Sequence, residues 1–578
     1  MIDPKALEED LKNDGEVVVY MLQEWAELRS ERTFFYYGEE DRHLTFSEFN
    51  RIANSVAHEL SSMGVEKGDR VSLFLMNPLA TTFAMFGIWK IGAVFCPINF
   101  NYRGHLLSYQ INDTNPKVLI AEQSSVPLLN QIKDDIQGLP VVLYRPDESD
   151  HDYDSENAFV ELDEKFQRSL FEDLLKGETS DPDVNIEYWD TANVIYTSGT
   201  TGPAKGVVQS HRWMHNYCYY YLKLLHPDDV VYNDLPLYHV AGAVANVARA
   251  AWGGCAVAVW DKFSPFEFWH RINACGGTSA TLLDVMIPWL LLAEETAEDR
   301  RNTLKQVHMQ PLPEYHHDVA KRFGIDFVSV GYGQTEAGTG FAGIIDEFGD
   351  EEGTPKEMYK GIPKEQARRM LRELGIPIVP GHSKIKKGFM GKPSLMYEAT
   401  VLNEHDEELG PNQHGHLALR ARLPYVLFDG YFNKLEATAE AFKNLWFHTG
   451  DGGYRVEDGN FYFVDRMGGF IRCRGENISS YQIEDILTGH LKVAVCAAFP
   501  IPAEEGEEDD IVVYIVLKAG EELSDNELRA WIKSEMPKFM WPKHIRFIDA
   551  LPQTPTYKVE KHKLRKAFLA ELEQECEH

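Results

Sequence analysis

Between Tyr196 and Val208 the chain reads Tyr-Thr-Ser-Gly-Thr-Thr-Gly-Pro-Ala-Lys-Gly-Val-Val, which sets four hydroxyls (Thr197, Ser198, Thr200, Thr201), three glycines (Gly199, Gly202, Gly206) and one cation (Lys205) within ten consecutive residues. Glycines let successive backbone N–H groups converge on one point, hydroxyls add rotatable donors, and lysine supplies a point charge, so the run suits a polyanion. The mostly apolar, partly β-branched stretch from Ala192 to Tyr196 puts it directly after a strand. It is not the phosphate loop of nucleotide hydrolases, in which Gly-Lys-Ser/Thr opens a helix. Here Pro203 follows the second glycine and Lys205 is followed by Gly206.

Further windows extend the same chemistry. Gly331-Tyr-Gly-Gln-Thr-Glu-Ala carries Glu336, and a hard divalent cation that shields triphosphate charge prefers carboxylate oxygen. Trp446-Phe-His-Thr-Gly-Asp-Gly-Gly-Tyr sets Asp451 between glycines, where both carboxylate oxygens can accept from a diol. Asn233-Asp-Leu-Pro-Leu-Tyr-His-Val-Ala-Gly holds His239; Arg472-Cys-Arg-Gly-Glu-Asn-Ile-Ser follows the pair Asp465-Arg466; Leu551-Pro-Gln-Thr-Pro-Thr-Tyr-Lys carries Lys558.

In this order, over residues 196 to 558, the windows resemble those of the adenylate-forming superfamily: acyl-CoA synthetases, adenylation domains of peptide synthetases and firefly-type luciferases. The resemblance implies that Thr197, Ser198, Gly199, Thr200, Thr201, Gly202 and Lys205 embrace the phosphates of ATP. It implies that Tyr332 stacks on adenine, with Gly333 and Gln334 in the same nucleotide-binding segment, that Thr335 donates to the α-phosphate and that Glu336 holds Mg²⁺. Asp451 and Arg466 are then expected at the ribose, His239 at the border of the acyl pocket, Gly475 where the pantetheine of coenzyme A passes, and Lys558 as the catalytic lysine. The implied activity is an ATP-dependent, AMP-forming ligase that joins a small-molecule carboxylic acid to coenzyme A. A small C-terminal domain rotates between half-reactions, withdrawing Lys558 and bringing in the loop at Gly475.

Other readings stay open: a free-standing adenylating enzyme that loads a carrier protein, a non-catalytic nucleotide-binding protein on the same fold, and a luciferase-like oxygenase. Arg-Gly-Glu-Asn-Ile-Ser, Phe-Trp-His-Arg-Ile and Leu-Trp-Phe-His-Thr-Gly-Asp together look like the crotonobetaine/carnitine-CoA ligase group. That likeness implies an acid with a quaternary ammonium, held in an aromatic cage for which Trp213, Tyr217, Trp252 and Trp289 are candidates. Three departures from the family pattern stand out: Gly468-Gly469 at the hinge, Tyr557 before the lysine, and His308-Met-Gln-Pro-Leu-Pro in place of a small Gly/Ala-rich segment.

To hold these groups the chain has 578 residues, too many for one core, of which 44% are hydrophobic and 12% aromatic. Strand and helix patterns alternate to about Val330. An α/β fold is expected, with mostly parallel sheets covered by helices in a large region 1–465 and a small mobile α+β domain at 466–578. Within it, Ser47 is expected to cap a helix running to Met63, Thr81 to Ile91 to form another, Asp147 to Glu164 to be a solvated loop, and the polar insert 346–387 to be a surface subdomain or lid. The net charge of -33 opposes nucleic acid and anionic membrane as partners. No apolar run is long enough for a membrane span and no signal peptide is read at the start, so a cytoplasmic place is expected. A second copy of the chain is a candidate partner. The seven cysteines form no Cys-x-x-Cys pair, and His316-His317 and His414-Gly-His416 read as solvent-exposed histidines rather than metal ligands.

Overall fold

The helix Pro78–Lys90 is buried at all 13 of its positions. It is apolar around its whole circumference, so it has no face to offer to water and lies between layers. Asn77 caps it by accepting from the Ala80 N–H, and Pro78 takes the first turn, where its missing donor costs nothing. Those two signals start the helix at Pro78 instead of the expected Thr81. It packs against Phe46–Ser62, which buries Phe49, Ala53, Val56 and Leu60 along one face. The cap of that second helix is Thr45, which forms a capping box with Glu48; Ser47 lies two residues further in, already inside the helix.

The computed structural model describes residues 3–197, 204–283, 286–386, 388–466, 470–473, 476–503, 508–552, 559 and 561–576. Among these, the buried helices are enclosed by two large sheets. An eight-stranded sheet runs in the order Gly430–Tyr431, Lys205–Ser210, Thr191–Thr197, Val94–Pro97, Arg70–Phe74, Val118–Glu122, Pro140–Tyr144, Gln167–Leu170. From Thr191–Thr197 onward its neighbours are parallel. A fourteen-stranded sheet holds a parallel run Thr33–Tyr37, Ala256–Val259, Val230–Asn233, Ser279–Leu283, Gln306–Gln310, Phe327–Gln334. Beyond Phe327–Gln334 it becomes antiparallel, because Gly338–Asp346 returns directly along it instead of crossing over through a helix. The largest core lies between the sheets, with Phe34 and Val257 from one, Val71 and Ile195 from the other, and Phe83, Phe86 and Trp89 between.

The stretch Asp147 to Glu164 is less loose than its composition suggests. Asp152 accepts from Asn77 Nδ2 (2.8 Å), Gln123 Nε2 donates to the carbonyls of Asn157 and Val160, and Ala158 is buried. The polar insert is likewise part of the body. Its strand Ile378–Pro380 extends the large sheet, its helix Lys364–Glu373 buries Ala367 and Leu371, and Arg368 pairs with Asp346 at 2.7 Å. His316 is buried, not solvent-exposed: the Nδ1 atoms of His316 and His317 meet the two oxygens of the buried Glu347 at 2.7 and 2.6 Å.

After residue 470 the described chain forms the hairpin Phe470–Cys473 with Glu476–Ser479, then a sheet of Val493–Pro502, Asp509–Leu517 and His544–Phe547 with helices Ser480–Thr488, Asp525–Glu535 and Lys561–Cys576. Among the described residues, no helix is long and apolar enough to cross a membrane.

Candidate functional site

The run suited to a polyanion leaves one strand and enters another. Thr191–Thr197 and Lys205–Ser210 are antiparallel, with Thr197 opposite Lys205. Residues 198–203, which include Ser198, Gly199, Thr200, Thr201 and Gly202, lie outside the described residues, as do Gly475 and Lys558 and the side chain of Arg466. The two feet of the run are firmly held. Tyr196 donates to Asp113 Oδ2 (2.7 Å), Tyr109 donates to the Ala204 carbonyl (3.0 Å), and the Lys205 ammonium stands 4.8 Å from the centre of the Tyr431 ring.

Facing these feet is the turn from Phe327–Gln334 into Gly338–Asp346, which holds Thr335 and Glu336. A line of buried hydrogen bonds ties it to the other sheet. Trp89 Nε1 donates to Asn193 Oδ1 (3.0 Å), Asn193 Nδ2 to Gln209 Oε1 (3.1 Å), and Gln209 Nε2 to the Thr335 carbonyl (2.8 Å). Asn193 and Gln209 are wholly buried, so each bond forgone would leave an unsatisfied polar group, and the line fixes the turn against the phosphate-suited run. The Glu336 carbonyl accepts from Trp213 Nε1 (3.2 Å) and the Phe428 N–H (2.9 Å). Glu336 Oε1 accepts from the Tyr431 hydroxyl at 2.9 Å. Burial, and after it the charge of Glu336, push the Tyr431 phenol far above its usual range and keep it a donor.

Asp451 arrives from the strand Phe447–Arg455, backbone to backbone with Arg466. Its Oδ2 accepts from both the Tyr332 hydroxyl (2.6 Å) and Gln334 Nε2 (2.8 Å). Gln334 Nε2 also reaches the Thr449 carbonyl (2.9 Å), which assigns the amide orientation and leaves Gln334 Oε1 buried without a partner. Glycine is needed at 333, since a Cβ there would come within 2.8 Å of the Gly338 carbonyl oxygen across the turn. Tyr332, Gln334 and Asp451 thus meet as one cluster, with Glu336 beside it.

His239 has an exposed surface, yet desolvation lowers its pKa; both hold for a ring that lines a recess. Its Nδ1 accepts from the Ala241 N–H at 3.2 Å, so the neutral ring carries its proton on Nε2. The four aromatics expected as a cage do not come together. Trp213 and Tyr217 are neighbours (5.3 Å), but Trp252 packs on His215 and donates to the Gly15 carbonyl, and Trp289 lies exposed beside Phe263. The cause is helical: one face of His211–Lys223 carries Trp213 and Tyr217, while Trp252 meets the helix at His215, on another.

The nucleotide and metal chemistries fit what is present. The orphaned Gln334 Oε1 is an acceptor awaiting a hydroxyl or amino donor, and one carboxylate, Glu336, suits an Mg²⁺ that keeps water and phosphate as its other ligands. Sequence reasoning passed over Asn193 and Gln209, polar positions in otherwise apolar strands, Tyr431 in a Gly-Tyr pair, and Asp113 near the end of the helix Gly104–Thr114. It also passed over Asp429, next to the Gly430–Tyr431 strand, whose carboxyl is pushed up to about 6 by burial.

A family model described as AMP-binding enzyme matches residues 22–432, and one described as AMP-binding enzyme C-terminal domain matches 482–558. The crotonobetaine/carnitine–CoA ligase of Salmonella arizonae is 28% identical over 539 residues, covering 91% of this chain and 94% of that protein. The protein of the same description from Shigella dysenteriae is 26% identical, with 90% and 93% covered. Among solved structures, a double mutant of o-succinylbenzoate CoA synthetase from Bacillus subtilis aligns with a TM-score of 0.73 at 22% identity, over 94% of this chain and 98% of that one. The amide bond synthetase McbA from Marinactinospora thermotolerans aligns with 0.71 at 19% identity, over 95% and 99%. At these identities the structural likeness speaks for the fold.

Proposed function

The chain belongs to the AMP-binding enzyme family, and from that premise we propose that it is an ATP-dependent, AMP-forming acid–CoA ligase. One observation carries the reading: Tyr332 and Gln334 both donate to Asp451, beside a turn whose Glu336 faces the feet of the Thr/Ser/Gly run. A carboxylate poised by two donors, with an orphan acceptor next to it, suits a ribose and base. The hydroxyl- and glycine-rich run from Thr197 through Ser198, Gly199, Thr200, Thr201 and Gly202 to Lys205 suits the phosphates, and Thr335 the α-phosphate. Glu336, held by Tyr431, would bind Mg²⁺, which neutralises phosphate charge when present.

A carboxylate is a poor electrophile with no usable leaving group. In the first step the acid's carboxylate oxygen attacks the α-phosphorus of ATP and pyrophosphate leaves. In the second the thiol of coenzyme A attacks the acyl carbon and AMP leaves. His239, neutral and with its proton on Nε2, is suited to donate to the incoming carboxylate at the mouth of the recess. Lys558 supplies positive charge as negative charge builds on phosphorus, and Arg466 joins Asp451 at the ribose.

The division between the steps rests on two domains, 1–465 and 466–578. Among the described residues, the apolar cores formed beyond residue 470 take one buried side chain, Leu106, from the large region. So little shared core favours rotation about a hinge, which brings Gly475 in for coenzyme A while Lys558 leaves. The acceptor is coenzyme A rather than a carrier protein, the relatives' printed names and coverage favouring it. The charge of -33 argues against nucleic acid as a partner, and the ATP and coenzyme A requirement favours a cytoplasmic place. Purified protein given ATP, Mg²⁺ and a panel of acids is expected to release pyrophosphate only with an acid present, and to form acyl-CoA, identified by mass, only when coenzyme A is added. Acid-independent pyrophosphate release, or none with any acid, overturns the proposal.

A further inference from the structure

The helix His211–Lys223, which packs on the strand Gly338–Asp346, carries Trp213, Tyr217 and Tyr221 at intervals of four residues, and Tyr217 and Tyr221 reach Gly333 and Gly331 of the neighbouring strand. Trp213 reaches the Glu336 carbonyl (3.2 Å). Further in, a Cβ at Gly333 would stand 3.7 Å from the Tyr217 ring, and one at Gly331 3.7 Å from the Tyr221 hydroxyl. Backbone already fills both Cβ positions, with the Phe341 carbonyl oxygen 2.5 Å from that of Gly331 and the Gly338 carbonyl oxygen 2.8 Å from that of Gly333, so the strands close up there and Tyr217 and Tyr221 are left as one wall of the recess. Tyr217, Tyr221 and His308 each keep some exposed surface although desolvation shifts all three, as it does for His239 at the mouth.

The inner end of this recess is polar and cationic. His308 takes the centre, with Nδ1 3.3 Å from the Tyr221 hydroxyl and 3.2 Å from Ser329 Oγ, and Nε2 2.9 Å from Gln310 Oε1. Arg249 closes it. The residue is 4% exposed; its guanidinium sits 5.8 Å from the centre of the Tyr221 ring and donates through Nη2 to Ser279 Oγ (3.2 Å), while its Nε is buried without a partner. The carboxylate that bears on it, Asp229, is paired with Lys305 at 2.8 Å. A buried guanidinium with donors to spare and no carboxylate of its own is costly unless a ligand completes it.

We infer that the acid taken by this enzyme carries a second carboxylate at the far end of its chain, and that Arg249 receives it at the closed end of the recess. The inference rests on the ligase reading, since it concerns the tail of the acid activated there. Arg249 is the natural group for the task, because its planar fork matches a carboxylate in two hydrogen bonds. A quaternary ammonium tail, the alternative suggested by sequence likeness, would be driven against this charge, and of the four aromatics expected to cage it Trp252 and Trp289 lie elsewhere. Distance sets the length. Tyr217 and Tyr221 are one helical turn apart and Trp213 one turn further out, so the tail spans about 6–12 Å, which suits diacids of roughly four to eight carbons.

The test measures kcat/KM for acid-dependent pyrophosphate release by the full chain with matched pairs: butyrate against succinate, pentanoate against glutarate, hexanoate against adipate, octanoate against suberate, and carnitine as the cationic arm. At least one diacid is expected to exceed its monoacid partner by tenfold or more, and R249M to reverse that ratio, with R249K between. Preference for a monoacid or for carnitine overturns the inference while leaving the ligase reading intact, as does an unchanged ratio in R249M. Pyrophosphate release with no acid of any class overturns both. If R249M does not fold, the wild-type ratio and calorimetric binding of the same pairs decide the matter alone.

Discussion

The Tyr332 hydroxyl donates to Asp451 Oδ2 across 2.6 Å, joining residues 119 apart in the chain, and Gln334 donates to the same oxygen at 2.8 Å. One carboxylate oxygen is thereby engaged by the protein and the carboxylate is oriented before nucleotide arrives. A hydrogen bond to a charged group contributes about 1.5–3 kcal/mol. D451A is expected to raise the KM for ATP by roughly ten- to a hundredfold, and Y332F by less. Because the two act on one interaction, the double variant is expected to be little worse than D451A alone. Initial rates of pyrophosphate release against ATP concentration check this; additive losses would refute the coupling.

Glu336 and Tyr431 form the second pair, at 2.9 Å. E336Q removes the anionic oxygen that a divalent ion prefers, so the Mg²⁺ concentration for half-maximal rate is expected to rise about tenfold or more. Y431F, which frees a carboxylate oxygen but keeps the charge, is expected to move it by less than E336Q. A Mg²⁺ titration identical in E336Q and wild type would remove Glu336 from the metal site.

In the proposed mechanism Lys558 separates the half-reactions. K558A is expected to lose adenylation by about a hundredfold or more and to convert pre-made acyl-adenylate and coenzyme A to product at nearly the wild-type rate. Equal losses in both assays would speak against a lysine that leaves between steps.

Asp234 is 4% exposed and burial pushes its carboxyl up to about 7. With a folded value above the unfolded one, the protonated group favours the folded state; that contribution is full near pH 4 and is lost as pH rises toward 7. D234N keeps the shape without the charge. It is expected to be more stable than wild type at pH 8, on the order of 2 kcal/mol, and to show no such advantage at pH 4. Thermal melts of both proteins across pH 4 to 8 measure the crossover, and an advantage independent of pH would exclude the titration of Asp234 as its cause.

The large folding units were legible from periodicity. The strand entering the Thr/Ser/Gly run and the α+β end of the chain stand where hydrophobic alternation and turn residues put them. Where the reading slipped, a local signal was misweighed. Asn77-Pro78 outranked Thr81 as a helix start, and Thr45 with Glu48 outranked Ser47 as a cap.

The sequence by itself determined which short windows carry phosphate-, metal- and diol-suited groups, because such chemistry needs particular residue types on a sharply turning backbone and both are written locally. Only the tertiary structure decided who meets whom. The bond of Tyr332 to Asp451, the line Trp89–Asn193–Gln209 that holds Thr335, the parting of Trp213 from Trp252, and the unpartnered Nε of Arg249 all depend on how separate helices and strands pack. A side chain's partner is set by the face and register on which it lands, and neighbouring residues in the chain do not encode that.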